Sequence, residues 1–243
     1  MNSFYDGMMY LINGFRLISR PGVRCFVIIP LIINILFFIA LFFSMHYLMN
    51  EFNQWIDTYL PKWLHWLNIF LWLLFFISFF LFFIVAFVTV ANLISAPFNG
   101  LLAEKIELYL TGHLASPRSL LQNIKDFPRV IGRQMAIAGY YLLSASLIFI
   151  LFFIPIIQLA AGILWLIFHA WFLALTYIDY PTDNHHIPLK IVRNNLKQKP
   201  FLVLGFGGSV LFVSMIPVLN FFIIPAAVAG ATQCWLEAFK HQK

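Results

Sequence analysis

Charge is what this chain has least of. Only 10% of its 243 residues are Asp, Glu, Lys or Arg, against about a quarter in a soluble globular domain, so an ordinary water-facing surface is excluded. Cysteine is scarce too. Cys25 and Cys234 are too few for a disulfide framework, and each sits at the edge of an apolar segment, where a small apolar filler is expected. The first twenty residues hold no basic start, apolar run and small-residue cleavage site in succession, so we expect insertion to rely on the first long apolar segment. A glycine-rich phosphate loop, a nucleophile elbow and an intramembrane carboxylate pair are also missing. Self-contained ATP-driven pumping is thereby excluded. We expect no enzymatic activity, no catalytic residue and no cofactor.

What is there is apolar: 62% hydrophobic and 19% aromatic residues, with 29 phenylalanines. A core built by so short a chain could not hide them all, so the remaining solvent must be lipid. A disordered regulator, a collagen-like fibre and a disulfide scaffold are excluded on the same grounds. The net charge of +6 and pI of about 9.4 do not call for nucleic acid, because basic residues of membrane proteins gather in cytoplasmic loops.

Residues 25–49 and 67–95 carry no formal charge. As helices they reach about 37 and 43 Å, enough to cross a ~30 Å hydrocarbon core with some tilt. The second half is different. Apolar stretches 140–154 and 156–177 meet at Pro155, and 201–216 and 218–235 meet at Pro217. The first arm of each pair spans only about 22–24 Å, and proline removes a helix donor, so each pair is expected to fold back at its proline. The two break points resemble each other: Ile154-Pro155-Ile156-Ile157-Gln158-Leu159 matches Ile216-Pro217-Val218-Leu219-Asn220-Phe221 at an offset of 62 residues. Paired, proline-interrupted apolar segments point to transporter-like architecture. The amides Gln158 and Asn220 at the tips need a wet or protein-lined environment. The expected fold is an all-α integral membrane protein forming a single membrane domain over residues 1–243. It has an N-terminal interfacial amphipathic helix and anion-binding turn over 1–24, two long transmembrane helices over 25–49 and 67–95, a cytoplasmic helical segment over 96–139, and two partly penetrating hairpins over 140–177 and 201–235.

Loop charges set the sidedness. Arg16, Arg20 and Arg24 precede the first span, while Lys62 stands against Glu51 and Asp57 in residues 50–66. Lys105, Arg118, Lys125, Arg129 and Arg133 fill 96–139, and Lys190, Arg193, Lys197 and Lys199 fill 178–200. The positive-inside rule puts both termini and these two basic segments in the cytoplasm. Within residues 1–24, Asp6, Asn13, Arg16 and Arg20 share one helical face. The stretch reads as an amphipathic helix, lying in the cytoplasmic interface or packed on the bundle.

That helix ends at Ser19-Arg20-Pro21-Gly22-Val23-Arg24-Cys25-Phe26, where Pro21-Gly22 marks a turn. The residues that follow expose the unpaired N–H groups of a helix N-terminus, with partial positive charge. With the guanidinium of Arg24 added, a tetrahedral oxyanion would find backbone donors, a helix dipole and a side-chain fork together. An arginine at a span end also serves as a plain topology anchor.

Four stretches in order carry a resemblance over nearly the whole chain. They are the Arg20-Pro21-Gly22-Val23-Arg24 turn with Phe26-Val27-Ile28-Ile29-Pro30-Leu31, and Ser95-Ala96-Pro97-Phe98-Asn99-Gly100-Leu101-Leu102-Ala103-Glu104. Asp179-Tyr180-Pro181-Thr182-Asp183-Asn184-His185 follows, then Ile216-Pro217 through Pro225 to Gly230-Ala231-Thr232. In these the chain resembles the CysZ family of bacterial sulfate permeases. The resemblance implies sulfate uptake across the inner membrane to supply cysteine synthesis, by a mostly helical protein. It also implies sulfate binding at Gly22, Val23 and Arg24. A second arginine commonly follows in that family, and here the position is Cys25, which keeps only its backbone N–H; Arg20 is the substitute donor to consider.

Glu104 and Glu107 lie about one turn apart after the second span. They read as a cytoplasmic mouth whose glutamate pairs with Arg24 when sulfate is absent, or as solvated residues of a kinked helix. Asp179, Asp183, His185 and His186 lack the paired spacings of a zinc site, so no metal is expected. They read as a loop in which Asp183 or Asn184 caps the next helix. Moving a charge of −2 inward against ~100 mV costs about 4.6 kcal/mol, roughly a thousandfold concentration ratio. Entry therefore needs continued consumption of sulfate or co-transport of protons, for which Glu104, Glu107 and His185 are the candidate carriers. Two spans and two half-hairpins hardly enclose a lined pore, so a homo-oligomer embedded in membrane lipid is expected. The competing readings are a non-transporting membrane assembly protein and a transporter of another oxyanion.

Overall fold

The computed structural model describes residues 3–113 and 120–240; of the basic residues named above, Arg118 lies outside these. Among the described residues the chain is all helix, without a strand. The order is α1 (Phe4–Ile18), α2 (Arg24–Tyr59), a short 3-10 helix (Lys62–Leu67), α3 (Asn68–Thr111), α4 (Leu120–Leu151), α5 (Gln158–Asn184), α6 (Leu189–Lys197), α7 (Pro200–Ser214) and α8 (Pro217–Ala238). Five of them are long and apolar enough to cross a membrane: Arg24–Ile56, Asn68–Phe87, Pro128–Leu151, Gln158–Asn184 and Leu219–Ala238.

The sequence reads as a single membrane domain; the chain packs as two compact units, Ile28–Ala96 and the combination of Met1–Val27 with Pro97–Lys243. The smaller unit is an antiparallel pair held by phenylalanine. Phe52 of α2 stacks on Phe75 of α3 with ring centroids 4.5 Å apart, and Phe38 meets Phe83 edge-on at 5.5 Å. Water-driven burial is weak between helices in lipid, so such ring contacts and close packing carry the association.

In the larger unit, α1 is the keystone. Its start is fixed by a capping box: Asp6 N–H donates to Ser3 Oγ at 3.2 Å, and Ser3 N–H donates to the Asp6 carboxylate at 3.1 Å. Those bonds hold the Asp6 carboxyl below its ordinary range. Gly7, Tyr10, Leu11, Gly14, Leu17 and Ile18 form its buried face, a helical period of three and four. The helix is amphipathic, as expected, and of the two placements open to it the structure has it packed on α7 and α8. Glycine makes the approach close enough. A Cβ at Gly14 would stand 2.0 Å from the Ala226 carbonyl oxygen, and one at Gly7 would stand 2.2 Å from that of Leu202. Tyr5, Met8 and Ile12 stay exposed on the opposite side.

Both hairpins turn at their prolines. Pro155 lies in the turn between α4 and α5, and Pro217 is the first residue of α8, where its missing N–H removes no helix bond. The repeat extends to the backbone: the Ile154 carbonyl accepts from Gln158 N–H at 3.0 Å, and the Ile216 carbonyl accepts from Asn220 N–H at 2.9 Å. Gln158 and Asn220 are exposed. The arms differ from the apolar runs that suggested them. α4 begins at Leu120 and α5 reaches Asn184, so the first hairpin has arms of 32 and 27 residues, about 48 and 40 Å. α4 continues through Arg129 and Arg133 because Asp183 and Asp179 of α5 receive them. In the second hairpin α7 has 15 residues, about 22 Å, and remains the short arm.

Candidate functional site

The turn after α1 is built by its backbone. Gly22 has φ +85°, a left-handed conformation that an L side chain adopts only with strain. Val23 N–H donates to the Arg20 carbonyl at 3.2 Å, and Phe26 N–H donates to the Val23 carbonyl at 3.0 Å. The Val23 side chain is 1% exposed, sunk in the core, and pins the turn. α2 then starts at Arg24; the Phe26 N–H is taken by the turn, and the N–H groups of Arg24 and Cys25 have no intrahelical acceptor.

Arg24 folds back on this turn, its Nε donating to the Ser19 carbonyl at 2.6 Å. That bond leaves the two terminal nitrogens of the guanidinium to a ligand. Beside it is an open cavity of about 630 Å³ lined by Ile12, Phe15, Arg16, Ser19, Arg20, Pro21 and Arg24. Three guanidinium groups thus share one wall, and among the described residues no carboxylate pairs with any of them. Arg16 is the member that sequence reading did not include. It sits in the last turn of α1, four residues before Arg20 of the turn that follows, a spacing already visible in the sequence. Gly22, Val23 and Cys25 shape the turn without lining the cavity; the Cys25 side chain is exposed.

A second charged cluster closes one end of the larger unit. Glu107, 3% exposed near the end of α3, accepts from His185 Nε2 at 2.9 and 3.1 Å and from Lys240 Nζ at 2.7 Å. Burial alone would raise this carboxyl, but the hydrogen bonds from His185 and Lys240 outweigh it and hold Glu107 below its ordinary value. Glu107 does enter an ion pair, and its partners are His185 and Lys240 rather than Arg24. Glu104, one turn earlier, is half-buried. Trp235 packs on the His185 ring at 4.5 Å.

The 179–186 segment departs from the loop expected there. It is helical through Asn184, with Pro181 inside α5, and α6 begins after Pro188 with no side-chain cap. The acidic residues face α4 instead. Arg133 grips Asp179 through Nε and Nη2 at 2.7–3.0 Å and donates to the Ile187 carbonyl at 2.7 Å, while Arg129 forks onto Asp183. Asn184 Nδ2 donates to the Gly100 carbonyl at 2.9 Å, and Asn99 Nδ2 donates to the Tyr180 hydroxyl at 3.2 Å. Asp179/Asp183 and Arg129/Arg133 are each four apart in sequence, and that matched spacing was the signal for the pairing. No group of three or more metal-ligating side chains occurs among the described residues.

Five helices long and apolar enough to cross a membrane and two proline-turned hairpins make this a multi-pass, all-α membrane protein, with an arginine-lined cavity at the turn before α2. The family model for sulfate transporter CysZ/etoposide-induced protein 2.4 matches residues 10–225, and the chain belongs to that family. The match takes in the α1 face from Tyr10, the arginine turn, the charged α3–α4–α5 cluster and both hairpin turns. It is a family of transporters rather than enzymes.

Proposed function

We propose that this chain carries sulfate across the bacterial inner membrane to supply cysteine synthesis, with both termini in the cytoplasm and the working form a homo-oligomer. The observation that supports this reading is the single cavity shared by Arg16, Arg20 and Arg24 at the start of a membrane-spanning helix. A divalent tetrahedral oxyanion suits such a wall. Guanidinium forks donate along two edges, the α2 N-terminus adds N–H groups and dipole, and Cys25 contributes through its backbone alone. Gly22 permits the turn and Val23 anchors it. Arg16 then supplies a guanidinium beside Arg20 and Arg24 where the resemblance anticipates an arginine at 25. The cost of moving two negative charges inward favours a channel-like path drained by consumption, or a proton-linked one. Glu104 and Glu107 would act at the cytoplasmic mouth, Glu107 through its exchange between His185 and Lys240. The amide tips at Gln158 and Asn220, beside Pro155 and Pro217, would line its wet part.

The test is sulfate binding to purified, detergent-solubilised protein, with chloride and phosphate as controls. Arg24→Ala and Arg16→Ala are each expected to weaken sulfate binding about tenfold or more, the loss of one charge-assisted contact. Sulfate binding unchanged by both substitutions, or no selective binding by folded protein, sinks the reading. A membrane assembly protein or a carrier of another anion would then take its place.

A further inference from the structure

A second concavity lies away from the arginine turn and has the opposite chemistry. It is a cavity of about 370 Å³ with a nearly apolar wall, open on the flank of the first hairpin. Tyr140 and Ile148 of α4, Leu164 and Trp171 of α5 and Leu204 of α7 form the wall, and among the described residues Lys197 at the end of α6 is its one cation. From Tyr140 to Ile148 is eight residues of helix, about 12 Å, close to the ~15 Å of hydrocarbon in one leaflet. The surface beside it is already apolar: Leu147 is 61% exposed, Ile163 60% and Leu166 54%. Such a surface on spanning helices meets lipid, so whatever fills the cavity arrives from the bilayer.

The mouth carries the information about the occupant's headgroup. Lys190, Arg193 and Lys197 recur at spacings of three and four on α6, opposite its buried Val192 and Leu196, and α6 has no acidic residue. The Arg193 guanidinium lies 3.9 Å over the Tyr140 ring, which brings a second positive charge to the wall of the same cavity. The carboxylates of neighbouring α5 do not neutralise it, since Asp179 and Asp183 are held by Arg133 and Arg129. Tyr140 and Trp171 share the cavity wall with Lys197, and amphipathic rings beside a cation are the pairing typical of a headgroup boundary. We propose that this cavity is a binding site for an anionic phospholipid. One acyl chain would run along α4 and α5, and the headgroup phosphate would sit on Lys197 and Arg193.

The experiment is native mass spectrometry of the full chain released from detergent, titrated with phosphatidylglycerol and, separately, phosphatidylcholine of the same chains. The wild type is expected to retain phosphatidylglycerol preferentially. Lys197→Gln should lower that preference about fivefold, the weight of one interfacial cation. Leu204→Trp, which fills the wall, should lower retention of both lipids. Equal retention of the two lipids by the wild type overturns the proposal. So does a phosphatidylglycerol preference that survives Lys197→Gln and Arg193→Gln together. Neither substitution touches the Arg16–Arg24 cavity, so sulfate binding should be unchanged in both and reports that the variants are folded.

Discussion

Replacing Gly14 by alanine tests the central packing claim and its link to the arginine cavity in one step. The new Cβ would lie 2.0 Å from the Ala226 carbonyl oxygen and 2.9 Å from the Gly230 nitrogen, where ordinary contact begins near 3.4 Å. Both obstacles are backbone of α8, so no side-chain rotation relieves them. α1 and α8 must separate by more than about 1 Å, and a gap of that size forfeits up to about half of each dispersion contact along the face. That face includes Tyr10, Leu11, Leu17 and Ile18. Destabilisation of about 3 kcal/mol is expected, the upper end for overpacking. Because Arg16 and Arg20 follow Gly14 by two and six residues, the cavity should lose its shape and sulfate binding should fall with stability. The assay is thermal unfolding in detergent, read by a thiol-reactive dye at Cys234, which is fully buried, in a Cys25→Ser background. Gly132→Ala is the control: its Cβ meets nothing within 4 Å, so the midpoint should hold or rise slightly, as helix propensity favours alanine. Wild-type stability and wild-type sulfate binding in Gly14→Ala would refute the reasoning.

Two more expectations concern the charged end. Glu107 is held below its ordinary value of 4.5 in the folded chain. Its contribution is therefore complete above that value, declines as pH falls below it, and vanishes below the lowered folded value. Unfolding midpoints measured between about pH 5 and 3 should drop more steeply in the wild type than in Glu107→Gln; parallel curves would show that the pairing with His185 and Lys240 adds nothing. Arg133→Lys keeps the charge but loses the fork on Asp179, which is 1% exposed. It should destabilise by about 2 kcal/mol, and Arg133→Ala by about 3–5 kcal/mol because it leaves a buried carboxylate unpaired. Denaturation in detergent checks both, and a lysine variant as stable as the wild type would count against the network.

The class of fold was legible in composition alone, because 29 phenylalanines and 10% charge leave lipid as the solvent. Proline positions and the 62-residue repeat located both hairpin turns, since a missing N–H acts on its own helix and needs no distant partner. The amphipathic period of α1 and the arginine turn were local in the same sense. What the apolar runs did not reveal is how far each helix continues. Hydropathy stops at the first charge, whereas α4 carries on through Arg129 and Arg133 because Asp179 and Asp183, some fifty residues later, receive them. The same is true of Glu107: the chain makes it an acid after a span, and only its meeting with His185 and Lys240 decides its partners.

Cys25 illustrates the division at the candidate site. The family resemblance anticipates a guanidinium at that position, and by sequence the nearest substitute is Arg20. The structure adds Arg16 from a turn earlier on α1. Its place beside Arg20 and Arg24 rests on the φ of Gly22 and the burial of Val23 within the turn. Solvent, helix periodicity and turn positions are properties of neighbouring residues, so the sequence by itself determined them. Partners for buried charges are set by distances between segments far apart in the chain, and only tertiary packing decided those.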